Sequence, residues 1–264
     1  MGIWRRLGHV ARLFGIDAHA TASSLKGLRH FRRNRREFLA QNQRSDVSFP
    51  EGKLYPCLTD RYASGGTAVG AYFHQDLLVA QLVFRNRPAR HVDVGSRVDG
   101  FVAHVASFCP IEVIDIRPLR SSAQNISFRQ QDMMAERFDL ADYTDSLSCL
   151  HALEHFGLGR YGDPVRADGH MLGWRNLHKM LRRGGKFYFA VPIGEHQRVE
   201  FDAHRVFSVP YIVEKMIEGL YGLESFHYVD DPGELHRDAD PRSAEARRSF
   251  GTTYGCGIFE LTKL

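Results

Sequence analysis

The chain has 264 residues, of which 43% are hydrophobic, and a formal net charge of +4. This length and composition fit one large α/β domain with additions, or two small domains, and predict that most of the chain is folded. No apolar run approaches the roughly 20 residues of a membrane span, and the amino terminus lacks the apolar core of a secretory signal. The four cysteines are widely spaced and form no C-x-x-C pair, which favours a reducing cytoplasm.

The positive charge is concentrated in an N-terminal basic helical arm, predicted over residues 1–50. Its first 40 residues contain nine Lys or Arg and only two acidic side chains. Apolar side chains recur there at helical spacing, at Trp4, Leu7, Val10, Ala11 and Phe14. The pattern is typical of a helix on an anionic membrane, so we expect peripheral membrane contact through residues 1–40. A helix docked on its own domain is the alternative, and nucleic-acid binding is disfavoured because no recognition motif is present.

Residues 51–87 are predicted to form a cap or linker that ends in a helix. The segment from Ser48 to Gly66 is rich in Pro, Gly and Ser, which indicates irregular structure. The sequence YFHQDLLVAQLVF, from Tyr72 to Phe84, predicts a helix that leads into the core.

Strands and helices alternate over residues 88–264, which predicts an α/β fold with a mostly parallel sheet and helices on both faces. We expect about seven strands. They lie at HVDVGS, IEVIDI, ISFRQQD, SLSCL, KFYFAVPI, ESFHYV and CGIFELTKL. The charged segment from Asp230 to Arg248 is predicted to be a solvated loop.

The turn after the first predicted strand is the first candidate binding site. It contains Asp93, Gly95, Ser96 and Gly100 in HVDVGSRVDG, where a doubly wound sheet binds its ligand. The spacing matches neither G-x-G-x-x-G nor a phosphate loop, which disfavours a nucleotide bound through phosphates. An acid two residues before the glycine suits a cationic ligand without phosphates, such as S-adenosylmethionine. A tight turn that binds no ligand is the alternative.

Two further acids follow the next two predicted strands. Asp115 ends EVIDI, where a carboxylate accepts hydrogen bonds from both ribose hydroxyls of an adenosine. Asp132 ends FRQQD, where it meets the adenine amino edge while Met133 packs on the ring. An N-cap or turn role explains either acid alone, but acids at three successive strand ends favour one adenosine site.

These motifs resemble those of class I S-adenosylmethionine-dependent methyltransferases over residues 88–264. The resemblance rests on HVDVGS, VIDIR, QQDMM, LRRGGKFYFAVP and GCGIFELTK. The segments HVDVGSRVDGFVAHVASF, LHALEHFGLGRYGDP and VEFDAHRVFS are similar to an uncharacterised methyltransferase-like family associated with bacterial surface-glycan synthesis. The resemblance implies a Rossmann-like fold, S-adenosylmethionine as cofactor, and O-methylation of a sugar or lipid-linked glycan.

The motif HALEH, from His151 to His155, has several interpretations. As H-x-x-E-H on a helix it is the inverted zinc-protease signature, which predicts a metal hydrolase. That interpretation leaves the three strand-end acids unexplained. A buried structural pair of histidines is another alternative.

A second resemblance favours a metal site beside the methyl donor. Metal-dependent O-methyltransferases of the ubiquinone pathway and plant small-RNA terminal methylases carry E-x-x-E-H at this strand end. Here Glu154 and His155 match, His151 replaces the first Glu, and His204 in FDAHRVFS matches a further ligand of the small-RNA enzymes. This set suits Mn²⁺, Fe²⁺, Co²⁺ or Zn²⁺ better than Mg²⁺. Without a metal, His155 or His204 is the candidate general base, with Glu154 beside it.

The segment FGLGRYGDP is predicted to be a lid over the acceptor. Its candidate substrate contacts are Arg160, Tyr161 and Asp163, the residue types that hold sugars, although a polar surface turn has the same composition. A non-catalytic methyltransferase-like scaffold at the membrane surface is the main alternative to an enzyme.

Overall fold

The computed structural model describes residues 18–264, which divide into two compact units between Thr67 and Ala68. The helix predicted around Trp4 to Phe14 lies outside the described residues. None of the helices formed by residues 18–264 is both long and apolar enough to cross a membrane.

The first unit contains one long helix, α1 (Ala18–Asn42), and a returning segment that includes Glu51 and Leu58 and folds back along α1. The carbonyl group of Leu58 lies so close to Gly27 that any side chain at Gly27 would collide with it. Arg35 on α1 forms a two-pronged ion pair with Glu51, at 2.6 and 2.8 Å. The returning segment therefore covers one face of α1.

The second unit is built on an eight-stranded sheet, in the order β3-β2-β1-β4-β5-β10-β8-β9. Its strands are β1 (His91–Val94), β2 (Ile111–Asp115), β3 (Ile126–Gln130), β4 (Thr144–Leu150), β5 (Leu181–Ile193), β8 (Tyr221–Val229), β9 (Leu235–His236) and β10 (Gly255–Lys263). The pairs from β3 to β5 are parallel, whereas β10 runs antiparallel to both β5 and β8. This order is the Rossmann-like fold of class I methyltransferases, so the predicted fold class is confirmed.

Helices cover both faces of this sheet. They are α2 (Ala71–Asn86), α3 (Ala103–Ala106) after a π-turn at Val98–Val102, α4 (Gly169–Met180), and α5 (Val209–Tyr211), which continues as a π-helix over Ile212–Ile217. Alternate side chains of β5 enter two hydrophobic cores: Phe187 and Phe189 pack on one face, and Tyr188 and Ala190 on the other. A strand buried on both faces has the continuous apolar sequence that β5 shows.

Two elements differ from the predicted seven-stranded sheet. The two-residue strand β9 extends the sheet within the segment predicted to be a loop, because Tyr228 and Val229 pair with His236 and Leu235. A separate hairpin forms from β6 (Arg198–Glu200) and β7 (His204–Val206). Strands of two or three residues are too short to show an alternating hydrophobic pattern, which explains why the sequence did not indicate them.

Candidate functional site

A crevice opens at the carboxyl ends of β1, β2, β3 and β4. In open α/β sheets ligands bind there, where the strand order reverses between β1 and β4. The residues around the crevice include Gly95, Asp115, Met133, His151, His155 and Tyr161. The structure thus brings most of the candidate cofactor residues together with two of the HALEH side chains.

Asp93 lies beneath the first turn, fully buried. Its carboxylate accepts hydrogen bonds from the backbone N–H and hydroxyl of Ser96, at 3.0 and 2.6 Å, and from the hydroxyl of Ser148. Burial raises its pKa to about 6, although these hydrogen bonds oppose the rise. Asp93 and Ser96 therefore hold each other in the turn, and neither is among the residues that border the crevice.

The two glycines of this turn make close approaches. Gly95 has a φ of 72°, and a Cβ there would lie 2.8 Å from the Cβ of Ala152. At Gly100 a Cβ would collide with the carboxylate of Asp76 on α2. A residue without a side chain is thus required at both positions, for conformation at Gly95 and for space at both.

Asp115, the acid predicted to bind ribose, lines the crevice. Its carboxylate accepts hydrogen bonds from the backbone N–H and guanidinium of Arg117, at 2.8, 3.0 and 2.7 Å. The Arg117 guanidinium also lies 4.3 Å from the ring centroid of Tyr161. Arg117 therefore links the predicted ribose acid to the predicted lid.

Asp132 and Met133 lie at the predicted adenine position and line the crevice. One Asp132 oxygen accepts a hydrogen bond from the backbone N–H of Met134 at 2.8 Å, which fixes the turn after β3. Met133 is buried, and its carbonyl accepts a hydrogen bond from Asn176 on α4. Met133 therefore contributes a buried apolar side chain to this end of the crevice.

HALEH leaves β4 as a short 3-10 turn over Leu153–His155, not as the α-helix on which the inverted zinc-protease motif depends. His151 Nδ1 lies 3.0 Å from Glu154 Oε1, and His151 Nε2 lies 3.2 Å from the Cys256 sulfur. Burial opposes charge on His151, but Cys256 and Glu154 outweigh it and raise its pKa well above the usual range. Both ring nitrogens of His151 are therefore engaged within the protein.

His155 has one ring nitrogen engaged by the backbone. Its Nδ1 donates to the Ala203 carbonyl at 2.7 Å, and its Nε2 lies 3.7 Å from Glu154 Oε1. Burial lowers its pKa, although Glu154 opposes this shift. His155 is therefore neutral near pH 7 with its proton on Nδ1, which leaves the Nε2 lone pair as a proton acceptor.

The predicted metal site is not supported by the side-chain geometry. His204 Nε2 pairs with Glu200 Oε2 at 3.1 Å, and its ring packs on Tyr254. His151 and Glu154 bind each other, as described above. Across residues 18–264 no three or more His, Cys, Asp or Glu side chains are arranged to hold a metal ion. The side-chain geometry therefore does not support His151, Glu154, His155 and His204 as one ligand set.

The lid residues have different roles. The Asp163 carboxylate accepts hydrogen bonds from the backbone N–H groups of Gly157, Gly159 and Tyr161, at 2.8, 3.3 and 3.2 Å, and so shapes its own loop. Arg160 donates to the Ala203 carbonyl at 2.9 Å. Tyr161 borders the crevice, where its ring meets the edge of His155.

Several residues that the sequence did not single out complete the site. Tyr72 on α2 packs against the His151 ring, and Tyr254 before β10 packs against His204. The Arg205 guanidinium, buried beneath the HALEH turn, donates to the carbonyls of Glu154, Phe156 and Ala167. Arg205 stands beside His204 in the sequence, but its acceptors come from distant segments, so no local pattern indicates its role.

A protein-family model matches residues 108–247, more than half of the chain. Its description is Caenorhabditis protein of unknown function, DUF268. The chain belongs to the DUF268 family. No curated protein matches this DUF268 chain.

Solved structures similar to this DUF268 chain include several methyltransferases. The N-methyltransferase NodS from Bradyrhizobium japonicum WM9, in complex with S-adenosyl-L-homocysteine, is 12% identical, with a TM-score of 0.49 over 74% of this chain and 88% of its own. A putative S-adenosylmethionine-dependent methyltransferase from Listeria monocytogenes is 10% identical, with a TM-score of 0.47 over 72% of this chain and 98% of its own. An S-adenosylmethionine-dependent methyltransferase from Clostridium acetobutylicum is 11% identical, with a TM-score of 0.48 over 73% of this chain and 92% of its own. The fold assignment rests on the strand order described above.

Proposed function

We propose that this protein is an S-adenosylmethionine-dependent methyltransferase that acts on a hydroxyl of a sugar or lipid-linked glycan. The observation that carries the proposal is the crevice itself. The glycine turn, Asp115 and Met133 come from three successive strand ends and surround one space at the reversal of strand order. This arrangement fits an adenosine with an amino-acid tail.

The residues present fit this cofactor. Asp115 receives the ribose hydroxyls, Met133 packs on the adenine ring, and Asp132 fixes the turn beside it. The Gly95 turn receives the amino-acid end through its backbone. Because the carboxylate of Asp93 is already engaged by Ser96 and Ser148, we assign Asp93 to holding this turn.

The cofactor supplies a methyl group on a positively charged sulfur. With the cofactor bound as methyl donor, His155 Nε2 would accept the proton that the acceptor hydroxyl loses on methylation. Glu154 Oε1, at 3.7 Å, stabilises the imidazolium that results. The Ala203 carbonyl holds His155 in the tautomer that this step needs.

Two partly exposed tyrosines suit a ring-shaped acceptor with many hydroxyls. Tyr72 and Tyr254 are each 46% exposed, and Tyr254 interacts electrostatically with His151, Glu154 and Tyr72. Both therefore stand near the HALEH turn. Aromatic faces beside carboxylate and imidazole groups bind the apolar and polar parts of a sugar ring together.

A transfer assay tests the proposal. Protein with radiolabelled S-adenosylmethionine is offered a panel of methyl glycosides, a catechol and a primary amine. We expect label in a glycoside, and loss of transfer in His155→Gln but not in the surface control His236→Gln. Transfer only to the catechol or the amine refutes the glycan acceptor and leaves the methyltransferase reaction standing.

A non-catalytic scaffold is the second candidate function. The observation that favours it is that two predicted cofactor carboxylates, Asp93 and Asp115, are already paired within the chain. Absence of both cofactor binding and transfer to any acceptor in the panel supports the scaffold.

A further inference from the structure

Helix α1 has one covered face and one cationic face. The covered face carries Gly27 and Arg35, which meet the returning segment at Leu58 and Glu51. The cationic face consists of exposed side chains three or four residues apart, which places them on one side of the helix. These are Lys26, Arg29, Arg32, Arg33 and Arg36.

Positive charge is in large excess on the cationic face, which has Glu37 as its one acidic neighbour on α1, four residues after Arg33. The Glu37 carboxylate accepts a hydrogen bond from Gln41. None of the five cations forms an ion pair with any residue from 18 to 264; Arg35, which does, lies on the other face. Five like charges along one helix face repel one another, so an anionic surface on that face stabilises the helix.

In the sequence, exposed apolar side chains occur on either side of the cationic face. Leu25 precedes it and is 68% exposed. Val47 and Phe49 follow α1 and are 71% and 69% exposed. Asn42, the last residue of α1, holds this second pair in place through two hydrogen bonds to the Phe49 backbone, at 2.7 and 2.9 Å. An exposed aliphatic side chain such as Leu25 beside a cationic row suits the boundary between lipid headgroups and acyl chains, and contributes little to binding a nucleic-acid backbone.

We propose that the cationic face of α1 docks on an anionic lipid bilayer, with α1 parallel to the membrane plane. A helix of this length extends about 38 Å, so all five cations reach the headgroups at once. Each contributes about fivefold to affinity at low salt. Docking through these five cations does not depend on methyl transfer. They lie within residues 1–40, the segment whose sequence predicts membrane contact.

Vesicle sedimentation with the full-length protein tests this surface. Binding is compared on phosphatidylcholine vesicles and on vesicles that contain about 30% phosphatidylserine, at about 0.1 M and about 0.5 M salt. We expect binding to the anionic vesicles, weakened at the higher salt. The triple variant Arg29→Glu, Arg33→Glu, Arg36→Glu, which reverses three charges, is expected to lose at least about 100-fold in affinity.

A matched variant separates local from overall charge. The control is a second triple variant that changes the net charge equally at exposed positions of the second unit: Arg120→Glu, Arg183→Glu, Arg247→Glu. We expect this control to bind vesicles nearly as tightly as the wild type. Circular dichroism checks that both triple variants fold. Val47→Ser with Phe49→Ser is expected to weaken binding at both salt concentrations. Equal loss in the two triple variants overturns the proposal, as does absence of wild-type binding or tighter binding to single-stranded RNA than to the vesicles.

Discussion

Arg117 holds the Asp115 carboxylate through two guanidinium hydrogen bonds, from Nε at 3.0 Å and Nη2 at 2.7 Å. A ribose that binds Asp115 must share this carboxylate with Arg117 or displace it. The proposed cofactor site is therefore one in which an internal ion pair competes with the ligand.

Replacing the two members of this pair is predicted to have opposite consequences for cofactor affinity. Asp115→Ala removes the ribose acceptor and is expected to cost about 1.5–3 kcal/mol, or tenfold or more in the dissociation constant. Arg117→Ala removes the competitor and is expected to bind at least as tightly as wild type. Calorimetric titration with S-adenosyl-L-homocysteine measures both, with the exposed Asp145→Ala as the control. Tighter binding by Asp115→Ala than by Arg117→Ala contradicts the assignment.

The turn after β1 is predicted to tolerate no side chain at Gly100. Gly100→Ala places a methyl group against the Asp76 carboxylate, so we expect a loss of about 1–3 kcal/mol in unfolding free energy and weaker cofactor binding. Gly222→Ala, whose Cβ would meet its nearest neighbour at 3.8 Å, is the matched control and is expected to change neither. Urea denaturation and the same titration provide the two measurements. Wild-type behaviour of Gly100→Ala would show that α2 does not constrain the turn.

Acid is predicted to destabilise the fold through His91. This histidine is fully buried between the hydroxyls of Ser146 and Ser148, and burial lowers its pKa from 6.5 to about 3. Because the folded-state pKa lies below the unfolded value, its contribution to stability is complete above pH 6.5 and is lost as pH falls toward 3, at about 1.4 kcal/mol per pH unit. Urea midpoints measured across this range are expected to fall with pH, and more gently in His91→Gln than in the wild-type protein.

Titration of Asp93 changes the stability of the fold in the opposite direction to His91 in part of this pH range. Burial raises its pKa from 3.8 to about 6, so the stability linked to its protonated form is lost as pH rises through about 6. Asp93→Asn removes this opposing effect and is expected to steepen the loss of stability between about pH 6 and pH 4. An unchanged slope would mean that the Asp93 carboxylate is not buried in solution.

His155 is predicted to be the catalytic base and to be fixed in one tautomer. Nitrogen-15 NMR is expected to show the proton on Nδ1 at neutral pH, because the Ala203 carbonyl accepts it. His155→Gln is expected to lower the rate of methyl transfer on the order of 100- to 10,000-fold. Its affinity for S-adenosyl-L-homocysteine is expected to stay near that of the wild type. A proton on Nε2 in the free protein would contradict the assigned role.

The strand-end positions of the site could be predicted from sequence because a parallel sheet brings the carboxyl ends of its strands to one edge. That rule placed Asp115, Asp132 and HALEH around one crevice without knowledge of any contact. The side-chain partners could not be predicted in this way. Ser148, which engages Asp93, is 55 residues away along the chain, and Cys256 is 105 residues from His151.

The predicted metal site finds no support in the side-chain contacts, for a specific physical reason. Sequence spacing places His204 after the neighbouring strand, but it does not show that a hairpin forms there and pairs His204 with Glu200 across β6 and β7. Spacing also does not show that one oxygen of Glu154 lies near both His151 and His155. The ligand types were present, whereas their directions depend on contacts between segments distant in sequence.

Calorimetric titration of the purified wild-type protein with S-adenosyl-L-homocysteine tests the central claim most directly. The crevice around Gly95, Asp115 and Met133 predicts saturable binding at one site per chain, abolished or weakened tenfold or more by Asp115→Ala and unaffected by Asp145→Ala. No heat of binding from a folded wild-type protein, or equal affinities in the two variants, would contradict the assignment of this crevice to the cofactor.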